Sequence, residues 1–173
     1  PVDGPMPLLQ HHKSMSLPWS CSALHHGIQH EYTDSVLNRA LLITVDMRKR
    51  EDWTAEERSI ELAELATSAG AKVIKNMVVN RHAPCPSHFI GSGKAEEVAA
   101  ICAKDLINLV IFNNDLTGTQ QRNLEESIGA KVIDRTQLIL DIFARRARSS
   151  EGKLQVELAQ LLYMMPRLTG KSP

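Results

Sequence analysis

The segment HFIGSGKAEEV, residues 88 to 98, is the first place where residue types and spacing indicate phosphate chemistry. A phosphate-binding P-loop requires G-x-x-x-x-G-K-[ST], in which backbone amides and the lysine hold the phosphates and the hydroxyl binds Mg²⁺. Here His88 stands where the first glycine is required, and Ala95 stands where the hydroxyl residue is required. The segment is therefore not predicted to hydrolyse a nucleoside triphosphate.

The glycine turn Gly91-Ser92-Gly93 keeps a weaker phosphate interpretation. Glycines let backbone N–H groups converge at the first turn of a helix, where they form a general anion site for a phosphate of RNA or of a nucleotide. Lys94 would add a cation beside that site. The alternative is a purely structural turn in which Ser92 caps the helix that follows. Both interpretations stay open at the level of sequence.

A second candidate site is predicted at the ends of two strands, where polar residues follow apolar runs: Asp46, Asn113, Asn114 and Asp115. In an open parallel sheet, ligands bind outside the carboxyl ends of the strands, at the point where the strand order reverses. For a strand order of 2-1-3-4, that point lies between the first and third strands. These side chains could bind a base, a ribose, or a metal with phosphates, but they are equally typical of turns. No metal site and no catalytic residue is predicted here.

A cluster of cations lies near the end of the sequence: Arg135, Arg145, Arg146, Arg148 and Lys153. Residues 135–173 carry seven Lys or Arg against three Asp or Glu, although the whole chain has a formal net charge of zero. Arg145 and Arg148 are expected on one helix face, where guanidinium groups suit the phosphates of a nucleic-acid backbone. The alternative is a solvated face with local ion pairs to Asp141 and Glu151. Because only 4% of the residues are aromatic, base stacking is not expected.

The elements that position these residues alternate between strand and helix over residues 37–148. Apolar runs are found at residues 41–45, 71–80, 108–115 and 131–134, and helical patterns at residues 54–70, 94–105, 117–129 and 135–148. Thr54 and Glu57 form a predicted capping box, and Gly70 and Gly129 are predicted to end their helices. Strands that are joined through helices pair in parallel with right-handed crossovers. The predicted fold class is α/β, with a four-stranded parallel sheet flanked by helices.

Residues 149–173 are predicted to form a further helix, the first arm of a helical hairpin. Its apolar residues repeat at intervals of four, three and four, as in a helix that packs on a partner helix: Leu154, Leu158, Leu161 and Met165. The sequence ends eight residues after Met165, so that the returning arm is expected to be missing from it. A homodimer through the same stripe is the alternative.

Residues 1–36 are rich in histidine and proline and are predicted to be a poorly ordered leader. Cys21, His25, His26 and His30 have helical spacing that could hold zinc, but an unstructured histidine-rich segment is the favoured interpretation. Three cysteines without CxxC spacing are typical of a reducing compartment. Neither a secretory signal nor an apolar run of about 18 residues is found. A cytoplasmic protein without a membrane span is expected.

Four runs of this sequence resemble the N-terminal region of the HflX family of ribosome-associated GTPases: FIGSGKAEEV, LVIFNNDLTGTQQRNLE, VIDRTQLILDIFARRARSSEGKLQVELAQL and PRLTG. The resemblance covers about residues 38–171. It implies an α/β domain and a long two-helix hairpin that precede a P-loop GTPase domain. It further implies binding to the large ribosomal subunit and its 23S rRNA, with dissociation or rescue of stalled ribosomes by the parent protein.

The resemblance extends to the glycine turn, the segment NNDLTGTQQRN, the arginine cluster and the start of the hairpin loop at Arg167. It therefore adds Arg167 and Lys94 to the expected RNA contacts. GTP and Mg²⁺ are expected in the missing GTPase domain, which is an expected partner of this region, and GTP hydrolysis is not expected here. The expected function is rRNA docking. A site for ATP at the strand ends is the alternative, because secondary ATP binding is implied for this region.

Overall fold

The computed structural model describes residues 38–47 and 53–168 of the 173-residue chain. The predicted leader and its Cys21, His25, His26 and His30 lie outside the described residues. Strands and helices alternate in the order β1 Arg39–Asp46, α1 Ala55–Ser68, β2 Lys72–Asn80, α2 Ser92–Lys104, β3 Leu109–Phe112, α3 Gly118–Ile128, β4 Lys131–Asp134, α4 Arg135–Arg146 and α5 Ser150–Leu168.

The four strands form one parallel sheet in the order β2-β1-β3-β4. Strand β1 pairs with both β2 and β3, so that the order reverses between β1 and β3. The predicted fold class is confirmed, and the strand order and the position of the reversal are those that were assumed for the strand-end site. None of the described helices is long and apolar enough to cross a membrane.

The core has two layers, one on each face of the sheet. Alternate residues of β1, such as Leu41 and Ile43, pack with α2 and α3, while Leu42 packs with α1 and α4 on the other face. All three side chains are fully buried. Continuous apolar strands are expected in a parallel sheet that helices cover on both faces.

Capping interactions fix the ends of several helices. The Thr54 side chain accepts a hydrogen bond from Glu57 N at 3.2 Å, and Thr54 N donates to the Glu57 carboxylate at 2.8 Å, which confirms the predicted capping box. Gly70 follows α1 with φ of 79°, and Gly129 follows α3 with φ of 73°. Both glycines adopt the left-handed conformation that ends helices, as predicted.

The prediction that Ser92 caps α2 is wrong. Gly91 is the capping residue, with φ of 85°, and Ser92 is the first residue of the helix, with no side-chain cap at its N-terminus. Only glycine adopts this conformation without strain, so the turn depends on Gly91 rather than on the serine hydroxyl.

A break between α4 and α5 overturns one expectation about the arginines. Helix α4 ends at Arg146, and Ala147 is extended, with ψ of 112°. Helix α5 then returns along α4 and contacts α3. Arg145 and Arg148 therefore do not share a helix face, because Arg148 lies in the turn between two helices.

The predicted apolar stripe of α5 faces away from the domain. Its four residues are each more than half exposed: Leu154, Leu158, Leu161 and Met165. No residue of α5 is buried. The described residues thus leave most of the surface of this stripe exposed.

Candidate nucleic-acid interface

The carboxyl edge of the sheet holds the predicted strand-end site. Asn113 N donates to the carbonyl of Ile43 at 2.9 Å, which places Asn113 beside Thr44 at the strand-order reversal. Thr44 is fully buried, and among the described residues its hydroxyl and the Asn113 side-chain oxygen have no hydrogen-bond partner. Buried polar atoms without partners are uncommon, and they are a signal for a ligand or ordered water. The sequence alone did not single out Thr44 as a site residue, because it lies inside an apolar run.

The other predicted strand-end residues have partners within the protein. Asn114 accepts a hydrogen bond from Val45 N at 3.1 Å and so ties the end of β3 to the end of β1. Asp115 accepts one from the Thr136 hydroxyl at 2.7 Å. The structure thus favours the turn interpretation for Asn114 and Asp115.

Asp46 forms an ion pair with Arg58 of α1, at 3.5 Å between Oδ1 and Nη2. It remains at the edge of the candidate site, because β1 ends at this residue.

The glycine turn is accompanied by an arginine that sequence reasoning missed. A Cβ atom at Gly91 would lie 3.2 Å from Nη1 of Arg81, so the guanidinium rests against the start of α2. Lys94 instead forms an ion pair with Glu97 one turn along the helix, at 2.7 Å. Arg81 thus places a guanidinium at the turn, whereas the Lys94 ammonium is engaged by Glu97.

The loop that leads to this turn contains a chain of polar side chains. Cys85 Sγ lies 3.4 Å from the Ser87 hydroxyl, which lies 3.0 Å from Nδ1 of His88. The other ring nitrogen of His88 lies 3.1 Å from the Ser127 hydroxyl on α3. Hydrogen bonds from the Ser87 side chain and from the backbone of His88 and Ser87 lower the pKa of Cys85 to about 7. His88, which excludes a P-loop, thus joins this loop to α3.

Four of the seven predicted RNA-contacting residues are engaged within the protein. Lys94 has its ion pair with Glu97, and Arg135 has one with Glu61 of α1. Arg145 Nη1 donates to the carbonyl of Ala69 at 2.6 Å, at the end of α1.

Arg167 is the fourth engaged residue. Its Nη2 donates to Asp134 Oδ2 at 2.9 Å and to the carbonyl of Leu116 at 2.8 Å. Asp134 is 1% exposed, so this ion pair is largely buried. The guanidinium also lies over the ring of Tyr163, 3.4 Å from its centroid. Arg167, which was expected to contact RNA at the start of the hairpin loop, is therefore held against the domain.

The other three residues, Arg146, Arg148 and Lys153, form what we call the junction patch, at the turn between α4 and α5. All three side chains are exposed. Among the described residues, none of them has an ion pair or a side-chain hydrogen bond. The patch is thus the part of the predicted arginine cluster that is open to an outside anion.

Lysines from distant parts of the sequence lie on the same side of the domain. Lys72 begins β2, Lys131 begins β4 and Lys104 ends α2, and all three are exposed. Neighbouring strands are about 4.8 Å apart, so Lys72 and Lys131, on the two outer strands, are separated by about 14 Å. Together with the junction patch they form the basic edge, at the amino ends of the strands.

The junction patch and the lysines are linked through Arg145. Its bond to Ala69 holds the end of α4 next to the segment that leads into Lys72. The sequence alone did not indicate this group of lysines, because successive members lie about 30 residues apart along the chain. The available signal was that three of the four strands begin with a cation: Arg39, Lys72 and Lys131.

Known proteins match this chain over most of its described length. Residues 56–144 match the family model described as GTP-binding GTPase N-terminal, and residues 146–173 match the GTP-binding GTPase middle region. The chain is 51% identical over 132 residues to GTPase HflX of Caldanaerobacter subterraneus subsp. tengcongensis, and 48% identical over 108 residues to GTPase HflX of Escherichia coli K12. These alignments cover 76% and 62% of this chain, but only 30% and 25% of the relatives.

A solved structure supports the same relationship. A GTP-binding protein from the hyperthermophilic archaeon Sulfolobus solfataricus, in complex with GDP, is similar at a TM-score of 0.60 and 25% sequence identity. The similarity covers 76% of this chain and 39% of that one.

A parallel sheet that helices cover on both faces, with a helical arm along α4, defines the class as an open α/β domain. The two family models and the relatives narrow this class. The chain belongs to the HflX family of GTP-binding proteins and corresponds to the N-terminal region of that family. It spans less than a third of the length of the two HflX relatives above.

Proposed function

We propose that this region docks its parent GTPase on the large ribosomal subunit, through contacts of the basic edge with phosphates of 23S rRNA. The observation that carries the proposal is the junction patch, whose three exposed cations have no ion pair with a described residue. Cations that bind phosphates release condensed counterions, and this release favours binding. A cytoplasmic location follows from the proposed partner.

Helices α1 to α4 all end at the basic edge, and their last carbonyl groups carry partial negative charge, which opposes anion binding. Two arginines reduce this effect for α1 and α2. Arg145 donates to Ala69 at the end of α1, and Arg39 donates to the carbonyls that follow α2. These two arginines offset the helix ends, so the exposed cations are left for an outside partner.

Contacts from this edge would position the protein and would not read bases. The six residues of the basic edge are lysines and arginines, and the exposed large apolar residues near the patch include a single ring, Phe143. Backbone contacts fix register and orientation without sequence information. This suits a docking domain that recognises one place on a folded RNA by shape.

The catalytic role is proposed to lie elsewhere in the parent protein. GTP and Mg²⁺ would bind a separate GTPase domain, because His88 and Ala95 exclude a P-loop in the glycine turn. Dissociation or rescue of ribosomes would be carried out by the parent, with this region as its anchor. The exposed stripe of α5 would be covered by the returning arm of the parent hairpin. Self-association of this region through the same stripe is the alternative, and dilution of the isolated region in sedimentation experiments separates the two.

A nucleotide site at the strand-order reversal is the second candidate. The buried and unpartnered oxygens of Thr44 and Asn113 favour it, with Asp46 at the rim. Both oxygens are buried, so a ligand such as ATP would reach them only if the strand ends moved apart, and its hydroxyl and amine groups would then donate to them.

Co-sedimentation of the 173-residue chain with large ribosomal subunits tests the docking proposal. Reversal of the junction patch (Arg146→Glu, Arg148→Glu and Lys153→Glu) should abolish most of the binding. Arg122→Glu is the matched control, because Arg122 is an exposed arginine on α3, on the other face of the sheet. Equal binding by the wild type and the patch variant would overturn the proposal.

A further inference from the structure

Helix α5 packs on the domain with little apolar burial. No residue of α5 is buried, and its larger apolar side chains point outward. Its inner face consists of half-buried residues, including Gly152, Val156, Ala159 and Tyr163. Apolar burial provides most of the adhesion between packed helices. The apolar contact of α5 with the domain is therefore thin.

The carboxyl end of α5 instead makes a concentrated polar contact. Arg167 donates through Nη2 to Asp134 and to the carbonyl of Leu116, and through Nη1 to the carbonyl of Tyr163. Its backbone also comes close to α3, because a Cβ atom at Gly118 would lie 2.9 Å from the Arg167 Cα. Charge-assisted hydrogen bonds of this kind are stronger than hydrogen bonds between neutral groups, and partial burial strengthens them further.

The acceptor of this contact belongs to the start of α4. Asp134 Oδ1 accepts from Gln137 N at 2.9 Å and caps α4, while Oδ2 accepts from Leu116 N at 3.2 Å and from Arg167. Helices α4 and α5 are thus joined at one end by the chain turn at residues 147–149 and at the other end by Arg167 and Asp134.

We propose that the Arg167–Asp134 pair is a latch that fixes α5 against the domain, and that opening the latch lets α5 swing as a unit about residues 147–149 while the α/β domain stays folded. The hinge contains Arg148, and Lys153 lies on the swinging helix, so the latch also sets the spacing of the junction patch. The proposal does not depend on RNA binding, because the position of α5 is measured without RNA.

Tyr163 reports the state of the latch. Burial, followed by the nearby carboxylate of Asp134, raises the pKa of Tyr163 above its ordinary value, whereas the Arg167 guanidinium acts in the opposite direction. If Arg167 is removed and α5 stays in place, the pKa of Tyr163 rises further. If α5 detaches, Tyr163 becomes exposed, and its pKa falls toward about 10. The two outcomes have opposite signs.

Two variants open the latch by different routes. Arg167→Met removes the donor, and Gly118→Ala places a methyl group against the Arg167 backbone without changing any charge. Alanine is also a better helix former than glycine, so Gly118→Ala does not weaken α3 itself. Gly93→Ala is the matched control, since a Cβ atom at Gly93 meets nothing within 4 Å.

The experiment follows phenolate absorbance during alkaline titration of the 173-residue chain. A Tyr32→Phe background leaves Tyr163 as the only tyrosine. Hydrogen exchange of α5 and of β1 is measured in parallel. In both variants we expect the pKa of Tyr163 to fall and the backbone amides of residues 156–165 to exchange at least about tenfold faster, with β1 unchanged.

Three results would overturn the proposal. The first is a pKa of Tyr163 that stays raised in both variants, and the second is unchanged exchange of α5. The third is loss of protection in β1 together with α5, because that would show that the pair supports the whole domain and not a separable arm. The Gly93→Ala control should match the wild type in both measurements.

Discussion

The Arg145 side chain donates a hydrogen bond to the Ala69 carbonyl at 2.6 Å, and this bond joins the carboxyl ends of α1 and α4. A Cβ atom at Gly70 would lie 3.2 Å from the same guanidinium. Arg145 therefore has a structural role, although it is exposed like its neighbours Arg146 and Arg148 and lies in the same arginine-rich segment. Arg145 stabilises the arrangement of the basic edge, because it holds the junction patch next to Lys72.

Arg145→Met should lower the free energy of unfolding by about 1–2 kcal/mol, because the carbonyl at the end of α1 loses a charged donor that is partly shielded from solvent. Urea denaturation followed by circular dichroism measures the change. Arg146→Met is the control and should lie within about 0.5 kcal/mol of the wild type. Equal stability of the two variants would contradict the structural role of Arg145.

Gly91→Ala should destabilise the domain by about 1–2 kcal/mol, because a residue with a Cβ atom is strained at φ of 85° and would also crowd Arg81. Gly93→Ala, two residues later and inside α2, should be neutral or stabilising by up to about 1 kcal/mol. Thermal unfolding of the two variants under the same conditions gives the comparison. The prediction fails if the two substitutions have the same effect.

Cys85 should react with iodoacetamide at a rate that reaches half its maximum near pH 7, because its lowered pKa gives a large thiolate fraction at neutral pH. Burial raises the pKa of Cys102, so that thiol should stay unreactive in the folded chain. A Cys21→Ser background removes the third cysteine. Ser87→Ala should move the midpoint of Cys85 to higher pH, since the Ser87 side chain is the largest cause of the lowered pKa. A midpoint that does not move would contradict this assignment.

Thr44→Val should stabilise the ligand-free domain slightly, by up to about 1 kcal/mol, because it removes a buried hydroxyl that has no described partner. If a nucleotide binds at the strand-order reversal, ATP at 100 times its dissociation constant should stabilise the wild type by about 2.7 kcal/mol. The variant should lose most of this gain. No stabilisation of the wild type by ATP, with or without Mg²⁺, would exclude the site.

Much of the fold could be predicted from the sequence, because its local signals agree with one another. The apolar run of β1, the capping box of Thr54 and Glu57 and the helix-ending glycines at positions 70 and 129 each act over a few residues. The parallel βαβ pattern predicted parallel pairing, whereas the strand order was an assumption, because the alternation of strands and helices does not determine it. The capping box of Thr117 and Gln120 was missed although the same signal is present there.

The candidate interface was less predictable, because it depends on contacts between distant segments. Whether an arginine is free or engaged is decided by its partner, and those partners lie 76 residues away for Arg145 and 33 residues away for Arg167. The lysines at the strand starts become neighbours only when the sheet forms. The prediction of Ser92 as a capping residue was wrong for a local reason, because the left-handed conformation of Gly91 starts α2 without a side-chain acceptor.

The six cations of the basic edge should act together in binding. Lys72→Glu, Lys104→Glu and Lys131→Glu in one chain should weaken binding to large ribosomal subunits in the same direction as reversal of the junction patch. Because this variant reverses the charge of the three lysines alone, it distinguishes their contribution to binding from that of the junction patch. If it binds as well as the wild type, the interface is limited to the junction patch.

The salt dependence of binding to large ribosomal subunits tests the docking proposal most directly. The logarithm of the association constant should fall linearly with the logarithm of the salt concentration, with a slope that reflects the number of phosphates neutralised. Conversion of Arg146, Arg148 and Lys153 to glutamine removes up to three contacts and should reduce the slope by about 2, while Arg122→Gln should leave it unchanged. An unchanged slope for the triple variant would contradict the account.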